Sequence, residues 1–313
     1  MSITVLTAYD FNTARALTEA GVDMILVGDS LAMVALGYEN TTLVTVEEML
    51  ICTAAVARGV QHCHPERSEG SQCKRPVIIA DLPYSAIYRH CEERSDEAIH
   101  YSVTEIVTTC KRFIAAGADI IKIENARPLS IEIIKALRAA DIRVMGHIGY
   151  TPQDIELFAK SKIIRDASVL MQDARALVEA GVESMVLEMV PYEIARDITA
   201  AVNNGTTAIG LGQGVCERGA GVDIRVNEDA ERANNAEISQ LRKSRVPTIG
   251  IGSGPYTTGQ VLVTDDMLGR YNLINPKFLR RYAQQYDETV TAIQAYIKDV
   301  QAGDFPRLEE SYS

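Results

Sequence analysis

Apolar residues in this chain come in short runs, each followed by a longer stretch with a helical period. Ile3 to Ala8, Asp23 to Val27, Val77 to Ala80, Asp119 to Ile123, Ile142 to Gly146, Ser184 to Leu187, Pro247 to Ile251 and Gln260 to Val263 read as buried strands. Asn12 to Ala20, Thr45 to Arg58, Val103 to Ala116, Ser130 to Ala139, Ala167 to Ala180, Tyr192 to Val202 and Asn275 to Gln301 read as helices. Thr45 followed by Glu48 is a capping box, and Gly59 is the expected stop of that helix. Gly21, Gly117 and Gly181 close three others and lead into a strand within a few residues. Repeated β-α units imply parallel strands with right-handed crossovers. Eight of them predict an α/β fold, a closed (β/α)8 TIM barrel made of one domain over 1–313.

Three segments break this rhythm and read as insertions, at about 61–75, 89–100 and 203–245. The first two share a phrase, His62-Cys63-His64-Pro65-Glu66-Arg67-Ser68 and His90-Cys91-Glu92-Glu93-Arg94-Ser95. The first and third fall between a helix and the next strand, at the barrel bottom. The second follows Asp81-Leu82-Pro83, which places it on the top face, where it covers or crowds a site.

Where the strands end is chemically informative. Val27-Gly28 runs into Asp29-Ser30, Ile78-Ile79-Ala80 into Asp81, Ile120-Ile121-Lys122-Ile123 into Glu124, and Met185-Val186-Leu187 into Glu188. In a (β/α)8 barrel these ends converge on one face, where catalytic groups collect. Carboxylate oxygens gathered there suit a hard divalent cation such as Mg²⁺. Lys122 lies two residues before Glu124, so strand alternation sends both side chains to the same side, as a buried pair or as a contact for a substrate carboxylate.

Composition narrows the partners. The chain has 313 residues, 47% hydrophobic and 23% charged, enough for a sizeable core. A net charge of -11 argues against nucleic acid or an anionic membrane as partner. No run of about 18 to 20 apolar residues is present, and the N-terminus lacks a basic leader, so a cytoplasmic, disulfide-free protein is expected.

Four of the five His and four of the six Cys fall within the insertions. Zinc is the weaker reading of them, since structural sites use tight ligand pairs and Cys63, Cys73 and Cys91 have no close Cys partner. Outside the insertions one histidine remains, His147, expected just past strand five on the top face. Ile249-Gly250-Ile251-Gly252-Ser253-Gly254-Pro255 follows a strand but departs from G-x-G-x-x-G, so close packing at the rim accounts for it.

The phrases Thr7-Ala8-Tyr9-Asp10, Val27-Gly28-Asp29-Ser30-Leu31, Ala80-Asp81-Leu82-Pro83, Lys122-Ile123-Glu124, Gly146-His147-Ile148-Gly149 with Thr151-Pro152-Gln153, Leu187-Glu188 with Val190-Pro191, Gly259-Gln260-Val261-Leu262-Val263 and Pro276-Lys277-Phe278 resemble the ketopantoate hydroxymethyltransferase family, in the family's order. The resemblance implies a barrel of the phosphoenolpyruvate/pyruvate superfamily type. It implies Mg²⁺ at Asp29 and Asp81 with Glu124 in or beside its shell, and a 2-oxo acid against Asp29, Ser30, Asp81, Lys122 and His147. It also implies Glu188 as base, 5,10-methylenetetrahydrofolate as one-carbon donor, a decameric homo-oligomer, and a place in pantothenate biosynthesis. Two departures stand out: Asn125-Ala126 replaces the family's Gly-Gly after Lys-x-Glu, and Phe158 to Ile164 replaces a glycine-rich loop. A Mg²⁺-dependent C–C or C–P lyase of the same superfamily, and a non-catalytic barrel, are the competing readings. A Lys-Cys-Gly phrase, usual in the lyases, is missing.

Overall fold

The computed structural model describes residues 2–62, 74–88, 100–153, 163–203 and 245–312. The chain divides into two compact units, Met1–Val261 and Leu262–Ser313. The larger carries a closed barrel in which β1 to β8 follow in chain order: Ile3–Thr7, Met24–Val27, Val77–Asp81, Ile120–Glu124, Val144–Gly149, Ser184–Glu188, Thr248–Ile251 and Gly259–Leu262. Its helices are α1 Phe11–Glu19, α2 Leu31–Val34, α3 Val46–Gln61, α4 Tyr84–Ile87, α5 Val103–Ala115, α6 Pro128–Ala139, α7 Ala167–Ala180 and α8 Tyr192–Asn203. The smaller unit holds α9 Thr264–Met267 and α10 Gln285–Ala302. Among the described residues no helix is long and apolar enough to cross a membrane.

The barrel interior is a layer of one side chain per strand: Val5, Leu26, Ile79, Ile120, Met145, Val186, Ile249 and Val261. Two residues further along each strand the side chain points inward again. That step lands on Asp81, Lys122, His147 and Glu188, so a polar layer caps the apolar one at the C-terminal mouth. The outer core, between strands and helices, takes the alternate positions, among them Ile25, Ile78, Ile121, Val144 and Met185.

The predicted strands all form, with boundaries moved by a few residues. β5 moves most: it starts at Val144 and runs to Gly149, so His147 lies inside the strand, not beyond its end. The Thr45–Glu48 capping box is present, with Glu48 N–H donating to Thr45 Oγ1 at 3.3 Å and Thr45 N–H to Glu48 Oε2 at 2.8 Å. Gly59, however, does not stop α3, which continues through it to Gln61. Its role is packing: a Cβ there would run into the Phe11 carbonyl oxygen and come within 2.9 Å of the Ala14 Cβ, so α3 lies on α1 only without one. The long final helix begins at Gln285, ten residues later than predicted, after Pro276 and a non-helical stretch.

The insertions fall mostly outside the described residues, as do Cys63, Cys73 and Cys91. What flanks them is clear. The first joins α3 to β3 and the third α8 to β7, both helix-to-strand connections. The second lies between α4 and α5, where Tyr88 and His100 form an antiparallel bridge and Tyr101 N–H donates to the Ile87 carbonyl at 2.9 Å.

Gly59→Ala sets helix propensity against packing. The substitution favours the helix by about 1 kcal/mol, while overfilling a packed contact costs typically ~1–3 kcal/mol. With backbone as the obstacle, packing wins, and denaturant unfolding should show a net loss of up to about 2 kcal/mol. Unchanged or increased stability would mean that α1 and α3 separate freely.

Candidate active site

Register builds the site. Asp81 of β3 lies beside Lys122 of β4, and Glu124 of β4 beside His147 of β5. Adjacent strands thus set an acid against a base twice. Lys122 Nζ donates to Asp81 Oδ1 at 2.7 Å and stands 3.6 Å from Glu124 Oε1. His147 stands between two acids, Nδ1 3.2 Å from Glu124 Oε1 and Nε2 3.4 Å from Glu188 Oε2. Both contacts are within ion-pair distance, so the ring faces a carboxylate on each side. Asp29 comes from the turn after β2; its backbone N–H donates to Asp81 Oδ2 at 3.1 Å. Ser30, half-buried at the start of α2, shares a hydrogen bond of 2.8 Å between its Oγ and Tyr9 Oη.

Gly149 lets β5 and β6 meet at this mouth. Its φ is +99°, and a Cβ there would strike the Glu188 carbonyl oxygen and lie 2.8 Å from Val190 Cγ2. Asn125, where the family has glycine, holds φ +60°. Asparagine tolerates that region better than most residues, and its Oδ1 accepts from Arg127 N–H at 3.0 Å and Ser130 Oγ at 2.8 Å. These bonds support the positive φ that follows Glu124.

Burial and charge then decide protonation. Burial pushes the Asp29 carboxyl well above the usual range, and the charges of Glu124 and Asp81 push it further. Burial also raises Asp81, against the pull of Lys122. For Lys122 burial works against the ammonium, but Asp81, Glu124 and Asp29 outweigh it and the group stays charged. Burial disfavours charge on Glu124 as well, yet His147 and Lys122 bring it down to about 2. His147 follows the same logic in reverse: burial lowers it, Glu124 overrides this, and it rises to about 9. Glu188 differs in access, with its side chain 20% exposed against 3% for Asp81 and Glu124.

Burial thus favours the proton on Asp29 and Asp81, and a divalent cation bound beside them would take the protons' place. The donors fit Mg²⁺, which is commonly held by one or two carboxylates plus water and substrate oxygens. Asp29 and Asp81 are the adjacent pair suited to this. Glu124 is already engaged by His147, Lys122 and the Gln153 backbone N–H at 3.0 Å. Among the described residues no three His, Cys, Asp or Glu side chains converge as a ready ligand set.

All six predicted side chains that line the mouth — Asp29, Asp81, Lys122, Glu124, His147 and Glu188 — belong to one connected cluster. Ser30 joins it through the loop that carries Asp29. Sequence reasoning missed Gln153, whose side chain reaches Asp29; only its place in the Thr-Pro-Gln phrase after β5 hinted at it.

A family model for ketopantoate hydroxymethyltransferase matches residues 1–220 and 217–308. The chain belongs to this family of enzymes. The 3-methyl-2-oxobutanoate hydroxymethyltransferase of Acetivibrio thermocellus is 36% identical over 315 residues, covering 99% of this chain and 87% of that one. The enzyme of the same name from Koribacter versatilis is 38% identical, covering 99% and 84%. Among solved structures, phosphoenolpyruvate phosphomutase from Streptomyces platensis subsp. rosaceus matches with a TM-score of 0.50 and 12% identity, over 97% of this chain and 84% of that one. That likeness agrees with the barrel and says nothing further.

His147 gives the metal-free protein a defined pH response. Its folded pKa, about 9, lies above the ordinary 6.5. Its ion pairs therefore stabilise fully below the ordinary value and fade as pH rises through about 9. The stability difference between the protein and His147→Gln, from urea unfolding at several pH values, should shrink across that window. A difference independent of pH would mean that the imidazole is neutral throughout.

Proposed function

We propose that this chain transfers a hydroxymethyl group from 5,10-methylenetetrahydrofolate to 3-methyl-2-oxobutanoate, giving 2-dehydropantoate, in pantothenate biosynthesis. The observation that carries the reading is the buried acid–base layer at the barrel mouth, in a chain of this family. Asp29 and Asp81 would hold Mg²⁺, with Glu124 beside it. Bound there, the ion supplies a Lewis acid for the substrate's keto oxygen, which makes the neighbouring C–H removable.

The chain's own residues do the rest. Lys122 and Ser30 offer donors for the 2-oxo acid, and the neighbouring acids keep Lys122 charged. His147 pairs with Glu124 on one side and Glu188 on the other, and so fixes where the Glu188 carboxylate stands. Glu188, the most accessible of the paired acids, takes the C3 proton, and C3 then forms its new bond to the donor's methylene carbon.

A cytoplasmic homo-oligomer is part of the proposal. Support for assembly comes from α10, which buries none of its side chains while Tyr286, Val290, Ile293, Ile297 and Val300 recur at helical spacing. The lyase alternative has no support beyond the shared barrel.

Two experiments test this reading. Asp29→Asn and Asp81→Asn, which keep side-chain volume, should each remove Mg²⁺-dependent binding of 3-methyl-2-oxobutanoate in calorimetry, with Asp81→Asn also lowering the Tm because Lys122 loses a charged partner; undiminished binding in either overturns the metal assignment. Glu188→Gln should keep that binding but slow solvent exchange of the C3 proton, followed by NMR in D₂O without folate, by on the order of 10²- to 10⁴-fold. Exchange at the parental rate would remove Glu188 as the base and leave His147 as the next candidate.

A further inference from the structure

Gln153 reaches three strand ends at once. Its backbone N–H donates to Glu124 Oε2 at 3.0 Å, at the end of β4. Its side-chain Nε2 donates to Asp29 Oδ2 at 2.8 Å, in the turn after β2, and to the Leu82 carbonyl at 3.0 Å, just past β3. The residue is buried, and both amide protons are used. The backbone of Asp29 is held by its N–H to Asp81 Oδ2 and by Ala32 N–H on its carbonyl at 2.9 Å, but its carboxylate stands in the turn before α2, outside the strand alternation that fixes Asp81 and Glu124.

The choice of an amide is chemically specific. A lysine or arginine at this position would also bind Asp29, but would neutralise the charge that a cation needs. A serine would be too short to span from the loop after β5. Glutamine supplies two donors, adds no charge, occupies Asp29 Oδ2 and leaves Oδ1 for a ligand.

We infer that Gln153 is a positioning residue for the cation pair: it fixes the rotamer of Asp29 so that this carboxylate and Asp81 present oxygens to one ion. The inference rests on the reading that Asp29 and Asp81 hold that ion. Residues that orient metal-binding carboxylates commonly change affinity by roughly 10- to 100-fold when replaced.

The test uses Mn²⁺ as the probe, its free concentration read by electron paramagnetic resonance, on the full chain. Gln153→Met keeps the volume and removes both donors. Gln153→Asn keeps the amide but withdraws it by one methylene, and serves if the methionine variant fails to fold. Ser253→Ala is the structural control: the buried Ser253 Oγ accepts from Val190 N–H at 3.0 Å and donates to the Leu187 carbonyl at 2.7 Å, at the same mouth but touching none of the acids. The Gln153 variants should lower the metal-free Tm, as any removal of buried donors does, and should also bind Mn²⁺ at least about tenfold more weakly. Ser253→Ala should lower the Tm and leave Mn²⁺ affinity intact. Parental affinity in the Gln153 variants overturns the positioning role, and so does an equal loss in Ser253→Ala. A parent protein that binds no Mn²⁺, even with 3-methyl-2-oxobutanoate present, overturns both this inference and the cation reading beneath it.

Discussion

The buried ammonium of Lys122 is the constraint on which the mouth of this barrel depends. Removing an ion from water costs several kcal/mol even after the protein relaxes, and Lys122 is removed almost completely. The cost is offset only because Asp81 and Glu124 stand within ion-pair distance. Those acids are themselves buried, so each needs the cation as much as the cation needs them. Taking away any one member would leave a charge without compensation in a medium of low dielectric. The arrangement favours a fixed geometry more than it favours stability, because well-packed apolar residues would fill the same space at less electrostatic cost.

Strand alternation places these charges. One inward step below them is a continuous apolar layer that gives the barrel its filling. Moving any one strand by a single residue would send its charged side chain to the outer face, among Ile, Val and Leu of the helices. The apolar layer therefore fixes the register, and the register fixes which acid meets which base. This is why the strand ends were readable from the chain: an apolar run followed by an acid is a pattern in one dimension. The pairings were not readable. Asp81 with Lys122, and Glu124 with His147, follow from the offset between neighbouring strands, which no local pattern records.

Other differences between sequence and structure have equally physical causes. A glycine after a helical stretch usually marks its end, yet Gly59 continues α3 because a neighbouring helix backbone occupies the space of a side chain. The sequence places His147 just past β5, but Gly146 and Gly149 mark close approach to Leu177 and to the end of β6, and the strand runs on through them. The stretch before α10 has helical composition but carries Pro276, and regular helix starts only at Gln285. The contribution of Gln153 was invisible because it acts across 124 positions of sequence, on a turn with no periodicity of its own.

Glu188 stands apart from the other acids in a way that bears on the proposed chemistry. Asp81 and Glu124 are each gripped by a charged partner and a backbone N–H, and Asp29 by the Gln153 amide. Acids so held serve well as fixed charges and poorly as proton carriers, because every change of protonation breaks several contacts at once. Among the described residues Glu188 pairs with His147 at 3.4 Å, and its side chain is 20% exposed at the mouth. As the proposed base, it would exchange its proton with fewer contacts to break than the other acids. On the proposed reading the site separates two tasks: Asp81 and Glu124 hold charge within the strand register, and Glu188 at the rim of β6 moves the proton beside an imidazolium whose charge is secured from the opposite side by Glu124.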